Sequence, residues 1–186
     1  DYPTRTIKFV VPFPSGSGTD QAAREAANDI TRRTGQPVIV ENKPGANGLI
    51  AAQQVARAAP DGYTVFITSM TTQSVNPFLY KKLPYDPVAD FIPVAMISKT
   101  AMVLVVRNTK DQPKSVAELT ARMQAAGSKL SFASGNTSSL VAGKTYSNAV
   151  SSPALHVPYK GIPQAVTDLM AGAVDFMFSD LTVANP

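Results

Sequence analysis

Two short stretches of small, hydroxyl-bearing residues are the places where this chain could do chemistry. The first, Ser15-Gly16-Ser17-Gly18-Thr19, follows the apolar run Ile7 to Val11 and the break Pro12-Phe13-Pro14. The second, Ser134-Gly135-Asn136-Thr137-Ser138-Ser139, follows Leu130 to Ala133 on the same plan. Small residues let a ligand approach the backbone, and a helix starting behind such a loop offers N–H groups with partial positive charge. That chemistry suits a carboxylate or a phosphate. Neither loop contains Arg or Lys, and nor does Ser69-Met70-Thr71-Thr72. Neutral donors would therefore carry recognition, through charge-assisted hydrogen bonds of roughly 1.5–3 kcal/mol each. Phe13 is a candidate apolar wall and equally a candidate core residue. The alternative is a pair of ordinary strand-to-helix turns; the repetition in both halves favours anion binding.

Other chemistry finds less support. Gly16-Ser17-Gly18 opens like a dinucleotide fingerprint, but Gln21 stands where the third Gly belongs. There is no Walker A lysine, no G-x-S-x-G elbow and no Cys nucleophile. The single His, His156, lies in Leu155-His156-Val157 and reads as structural. Asp180, grouped with the candidate ligand-binding residues, is one of three possible general bases, with His156 and Asp20. Asp86 and Asp90, close to Pro84 and Pro87, read as turn and cap residues, and Lys160 as solvated surface. Asn136-Thr137-Ser138 matches a glycosylation pattern that matters only in a eukaryotic secretory protein. No cofactor or metal is expected.

The elements that must position these loops alternate. Strands are expected at Ile7 to Val11, Val38 to Val40, Tyr63 to Thr68, Leu130 to Ala133, Leu155 to Val157 and Val174 to Phe178. Helices are expected over Asp20 to Arg33, after a turn over Pro44 to Gly48 and through Ala59, from Ser115 to Gly127, over Leu140 to Val150, and over Pro163 to Ala171. Ser115-Val116-Ala117-Glu118 carries a capping box. This order predicts α/β architecture with largely parallel sheets. Phe91 to Val106 holds two apolar runs separated by Ser98-Lys99-Thr100, where a crossover and hinge are expected between lobes 1–100 and 101–186.

Composition narrows the partners. The 186 residues hold 17 Lys+Arg and 13 Asp+Glu, so 17 − 13 = +4, with the basic residues scattered. A nucleic-acid binder usually concentrates them, so none is expected. The longest apolar stretch, near Ala101 to Val106, is far below the roughly 18–20 residues of a membrane helix. Asp1-Tyr2-Pro3-Thr4 leads straight into a strand, as a mature N-terminus does once a signal peptide is removed.

Beyond these patterns, the sequence resembles the periplasmic solute-binding receptors of tripartite tricarboxylate transporters, the Bug-type receptors. The matching stretches are Val11 to Asp20, Gly35 to Gly48, Ala59 to Thr64, Asn76 to Val94, Ala133 to Ser139 and His156 to Gly161. The resemblance implies a type-II periplasmic-binding-protein fold: two lobes with mainly parallel sheets and a ligand cleft that closes on a small carboxylate. It implies ligand contacts from Ser15 to Thr19, from Ser69 to Thr72 and from Ser134 to Ser138, and transfer to the transporter's membrane subunits. A monomeric, non-enzymatic periplasmic protein is expected on this basis. Two departures stand out. Ser15 and Ser17 occupy positions where the family is richer in Gly and Pro, and Leu140 to Gly143 lacks the His common there. On the family's usual length, the second lobe would also be incomplete at Pro186. An enzyme acting on a small anion, or a fragment without binding of its own, are the alternatives.

Overall fold

The computed structural model describes residues 1–184, apart from the side chain of Ser128. It divides into two compact units, Asp1–Lys99 and a second beginning at Thr100.

In the first unit, β1 (Ile7–Val11) is the central strand of a three-stranded parallel sheet, flanked by β2 (Val38–Asn42) and β3 (Thr64–Phe66). Four of the five β1 residues are buried. A parallel strand covered on both faces needs this continuous apolar run, not an alternating one. Helix α1 (Gly18–Thr34) packs Ala23 and Ala27 onto that sheet beside Ile7, Phe9 and Val11. It starts because the Ser17 hydroxyl oxygen accepts the Asp20 N–H at 3.2 Å, and it stops at left-handed Gly35, which no β-branched residue could replace cheaply. Helix α2 (Leu49–Ala56) follows β2 and is shorter than expected, turning at Arg57. After β3, a π-type turn over Thr71–Val75 runs into the single-turn helix α3 (Asn76–Leu79).

The second unit holds β4 (Met102–Val105), β5 (Ser131–Ser134), β6 (Leu155–Pro158) and β7 (Phe176–Asp180) in the order β4-β7-β5-β6. All pairs are parallel except β4 with β7. Alternation along β5 and β7 sends Phe132 and Phe176 to one face and Ala133 and Met177 to the other. The first face is covered by α4 (Val116–Ala126) and α5 (Thr137–Ala149), the second by α6 (Ile162–Ala171). The short α7 (Leu181–Ala184) places Val183 on the second face. Helix α5 lies so close to the sheet that a methyl on Gly143 would stand 2.3 Å from the Phe132 ring.

Of the two apolar runs in Phe91 to Val106, only the second forms a strand; Pro93 cannot donate to a ladder, and Ile92, Val94 and Met96 are exposed. Two expectations need correction. Helix α5 begins at Thr137, three residues early, because Asn136 and Ser139 cap each other and close the first turn at once. In the α4 cap, Ser115 accepts from Glu118 N–H as expected, but the Glu118 carboxylate takes the Lys114 N–H.

Candidate functional site

The parallel register sets the carboxyl ends of β1, β2 and β3 along one edge of the first sheet, where ligands of open α/β sheets bind. At the end of β1, the loop Ser15 to Thr19 is organised by Asp20. This buried carboxylate accepts the Gly16 N–H at 2.9 Å, the Ser15 hydroxyl at 3.3 Å, Arg24 Nε at 3.0 Å and Asn42 Nδ2 at 2.8 Å. Burial pushes Asp20 up, but the bonds from Arg24, Gly16 and Asn42 outweigh it and hold the carboxyl below its ordinary value. Asn42, the last residue of β2, also donates to Phe13 O at 3.0 Å and so ties the loop to the neighbouring strand. Of the loop residues, Ser17 is buried and spent on capping, Ser15 and Gly16 are exposed, and Gly18 and Thr19 form the half-buried first turn of α1. Phe13 is buried within the core of this unit.

The loop after β3 lies on the same edge. Ser69 Oγ accepts the Thr71 N–H at 3.3 Å, the Thr72 hydroxyl contacts that of Thr68, and Tyr85 donates to Thr72 O at 2.6 Å. Thr71 and Thr72 are fully buried, while Ser69 is half-buried. Between the two expected loops stands a third that sequence reasoning treated as a plain turn, Gly45 to Gly48 after β2. Ala46 and Asn47 both adopt left-handed backbone, with φ of 47° and 51°. A methyl on Gly48 would meet Thr72 Cγ2 at 2.6 Å and Pro12 Cβ at 3.0 Å, so this loop is wedged against the other two. Asn47 O accepts from Asn76 Nδ2 at 2.9 Å, and Asn47 Nδ2 donates to Tyr80 at 2.8 Å. The Gly-Ala-Asn-Gly run was the available signal, since Gly and Asn tolerate this backbone best.

In the second unit, the loop after β5 is locked from within. Ser139 Oγ accepts the N–H groups of Gly135 at 3.1 Å and Asn136 at 3.2 Å, and Asn136 Oδ1 accepts the Ser139 N–H at 2.8 Å. Gly135 approaches the N-terminus of α6 so closely that a methyl there would stand 2.2 Å from Ile162 N. Ser134 Oγ lies 2.7 Å from His156 Nε2, and Ser134 and Thr137 are both buried while Ser138 is half-buried. Asp180 ends β7, parallel to β5, on the same sheet edge as Ser134. Burial alone raises its carboxyl above the ordinary value. Asp86 accepts the Val88 and Ala89 N–H groups and Asp90 accepts the Asp86 N–H, which are turn roles. Among the described residues, no helix is long and apolar enough to cross a membrane.

The comparisons with known proteins agree on one relationship. The family described as tripartite tricarboxylate transporter family receptor matches residues 22–186. A UPF0065 protein of Pseudomonas sp. is 37% identical over 183 residues, covering 97% of this chain and 54% of the relative. Among solved structures, an R. palustris protein with adipate superposes with a TM-score of 0.96 at 31% identity, covering 100% of this chain and 62% of that one. MatC from Rhodopseudomonas palustris, with bound malate, gives 0.87 at 32% identity, covering 96% and 61%. The chain thus spans about half the length of the curated relatives it matches.

Proposed function

The chain belongs to the tripartite tricarboxylate transporter receptor family, and on that premise we propose that it is a periplasmic receptor for a small organic carboxylate. It hands this ligand to the membrane subunits of such a transporter. One observation carries the reading: β1 and β5 each end in a hydroxyl-rich loop that opens a helix and contains no Lys or Arg. A ligand carboxylate is then received by neutral donors at helix N-termini, where the backbone dipoles favour negative charge. Within the first unit the candidate donors are Gly18, Thr19 and Ser69; within the second they are Ser134, Thr137 and Ser138. Gly16, whose N–H is held by Asp20, and Ser17, which caps α1, build the loop instead. The solved relatives with adipate and malate make aliphatic di-acids the first ligands to try.

Binding without turnover is the better reading of the Ser134–His156 pair. A histidine that takes a proton from serine needs a neighbouring anion to stabilise the imidazolium. Here burial, with the Lys144 ammonium adding to it, lowers the His156 pKa and makes that charge harder to form. A thermal-shift panel of mono-, di- and tricarboxylates, aromatic ones included, tests the function. A rise in Tm of several degrees with at least one di-acid is expected; no response to any carboxylate overturns the reading.

A further inference from the structure

We propose that His156 is a positioning residue for carboxylate recognition: it sets which way the Ser134 hydroxyl proton points, and so makes ligand affinity depend on pH. The inference rests on the receptor reading above. It starts from the sheet register. Phe132 of β5 stands directly opposite His156 of β6, and their rings lie 5.0 Å apart. Ser134, two residues beyond Phe132, projects from the same face of β5, which brings its Oγ to 2.7 Å from Nε2 of His156. Packing against Phe132 fixes the ring, so the hydrogen bond persists whichever atom donates.

A serine hydroxyl has one proton, and Nε2 of a neutral imidazole is either donor or acceptor. If Ser134 donates to Nε2, its oxygen turns only lone pairs toward an arriving carboxylate, and the contact is repulsive. If Nε2–H donates to Ser134, the hydroxyl proton is free for the ligand. The doubly protonated ring permits only the second arrangement and adds an attractive charge. The charged group acting on the ring among the described residues is Lys144 of α5, which lies over the Phe132 face; β5 contributes uncharged Phe132 and Ser134. Burial first and Lys144 second disfavour the charged imidazole and hold its pKa below the ordinary value. A bound carboxylate reverses that balance, so ligand and proton bind together and each strengthens the other.

The test is imidazole 1H–15N spectroscopy of the protein with and without saturating adipate, the His156 resonances being assigned by their loss in His156→Gln. Without ligand, the ring titrates below the ordinary 6.5. With adipate, its midpoint moves up and Nε2 carries a proton. Calorimetry then shows proton uptake and a Kd that tightens about threefold to tenfold from pH 7.5 to 6. In His156→Gln, whose amide donates at every pH, adipate still binds and the pH dependence is flat. Calorimetric binding of adipate with an unmoved imidazole midpoint and tautomer overturns this proposal alone. Absence of binding by any carboxylate overturns the receptor reading, and the proposal with it.

Discussion

Asp20 accepts the backbone N–H of Gly16 at 2.9 Å, so the chain's own carboxylate already fills part of the loop that was expected to receive a ligand's. The same carboxylate holds Arg24 and Asn42, which makes it the clamp of the first loop. Replacing Asp20 by Asn removes charge-assisted bonds and is expected to cost about 2–3 kcal/mol in urea unfolding. Because the folded carboxyl lies below its ordinary 3.8, this stability is present above that value and is lost as pH falls through the lower folded value. Acid titration of the wild type and of Asp20→Asn should converge in that window. Parallel curves would contradict the clamp.

Ser15 and Ser17 are two residues apart yet have separate tasks. Ser17→Ala removes the cap of α1 and is expected to lower stability by about 1 kcal/mol. Ser15→Ala touches an exposed hydroxyl whose bond to Asp20, at 3.3 Å, is long, so its cost should stay within about 0.5 kcal/mol. Chemical denaturation of both variants checks the order.

The close approach of Gly135 to α6 makes it a steric test of the second loop. The neighbour is backbone, which cannot rotate aside, so Gly135→Ala is expected to destabilise by roughly 1–3 kcal/mol and displace Ser134. The di-acid affinity should fall along with the Tm. Gly35→Ala serves as the control, since nothing lies within 4 Å of that glycine and its left-handed backbone, with φ of 71° and ψ of −1°, costs a methyl only about 1–2 kcal/mol, with no effect expected on di-acid affinity.

Asp180 has the opposite sign from Asp20. Its carboxyl is raised by burial, so the native state binds the proton more tightly and gains stability as pH falls toward the ordinary 3.8. Asp180→Asn should therefore raise Tm at pH 7 and lose that advantage in acid. A gain of equal size at every pH would contradict this account.

Fold class was legible because strand and helix periods alternate cleanly and β1, buried on both faces, shows an unbroken apolar run. The cap at Ser115 could be read because capping is local chemistry, whereas α1 was expected from Asp20 and starts two residues earlier, at Gly18. What stayed hidden was long-range. Nothing near Gly45 to Gly48 says that its backbone wedges against Pro12 and Thr72. Asn42 lay outside the expected strand Val38 to Val40, yet it bridges Phe13 and Asp20, 29 and 22 residues away. His156 was read as structural, and its partner Ser134 is set by β5–β6 register, which no local pattern encodes.

The central claim is that neutral donors on these loops hold a ligand by its carboxylate charge. Isothermal titration with adipate and malate, each against its neutral diamide, tests it most directly. Saturable binding of one di-acid with a Kd of about 1 μM or tighter, and no detectable binding of the diamide, is the predicted result. Equal affinity for acid and diamide, or no heat with any di- or tricarboxylate, would contradict it.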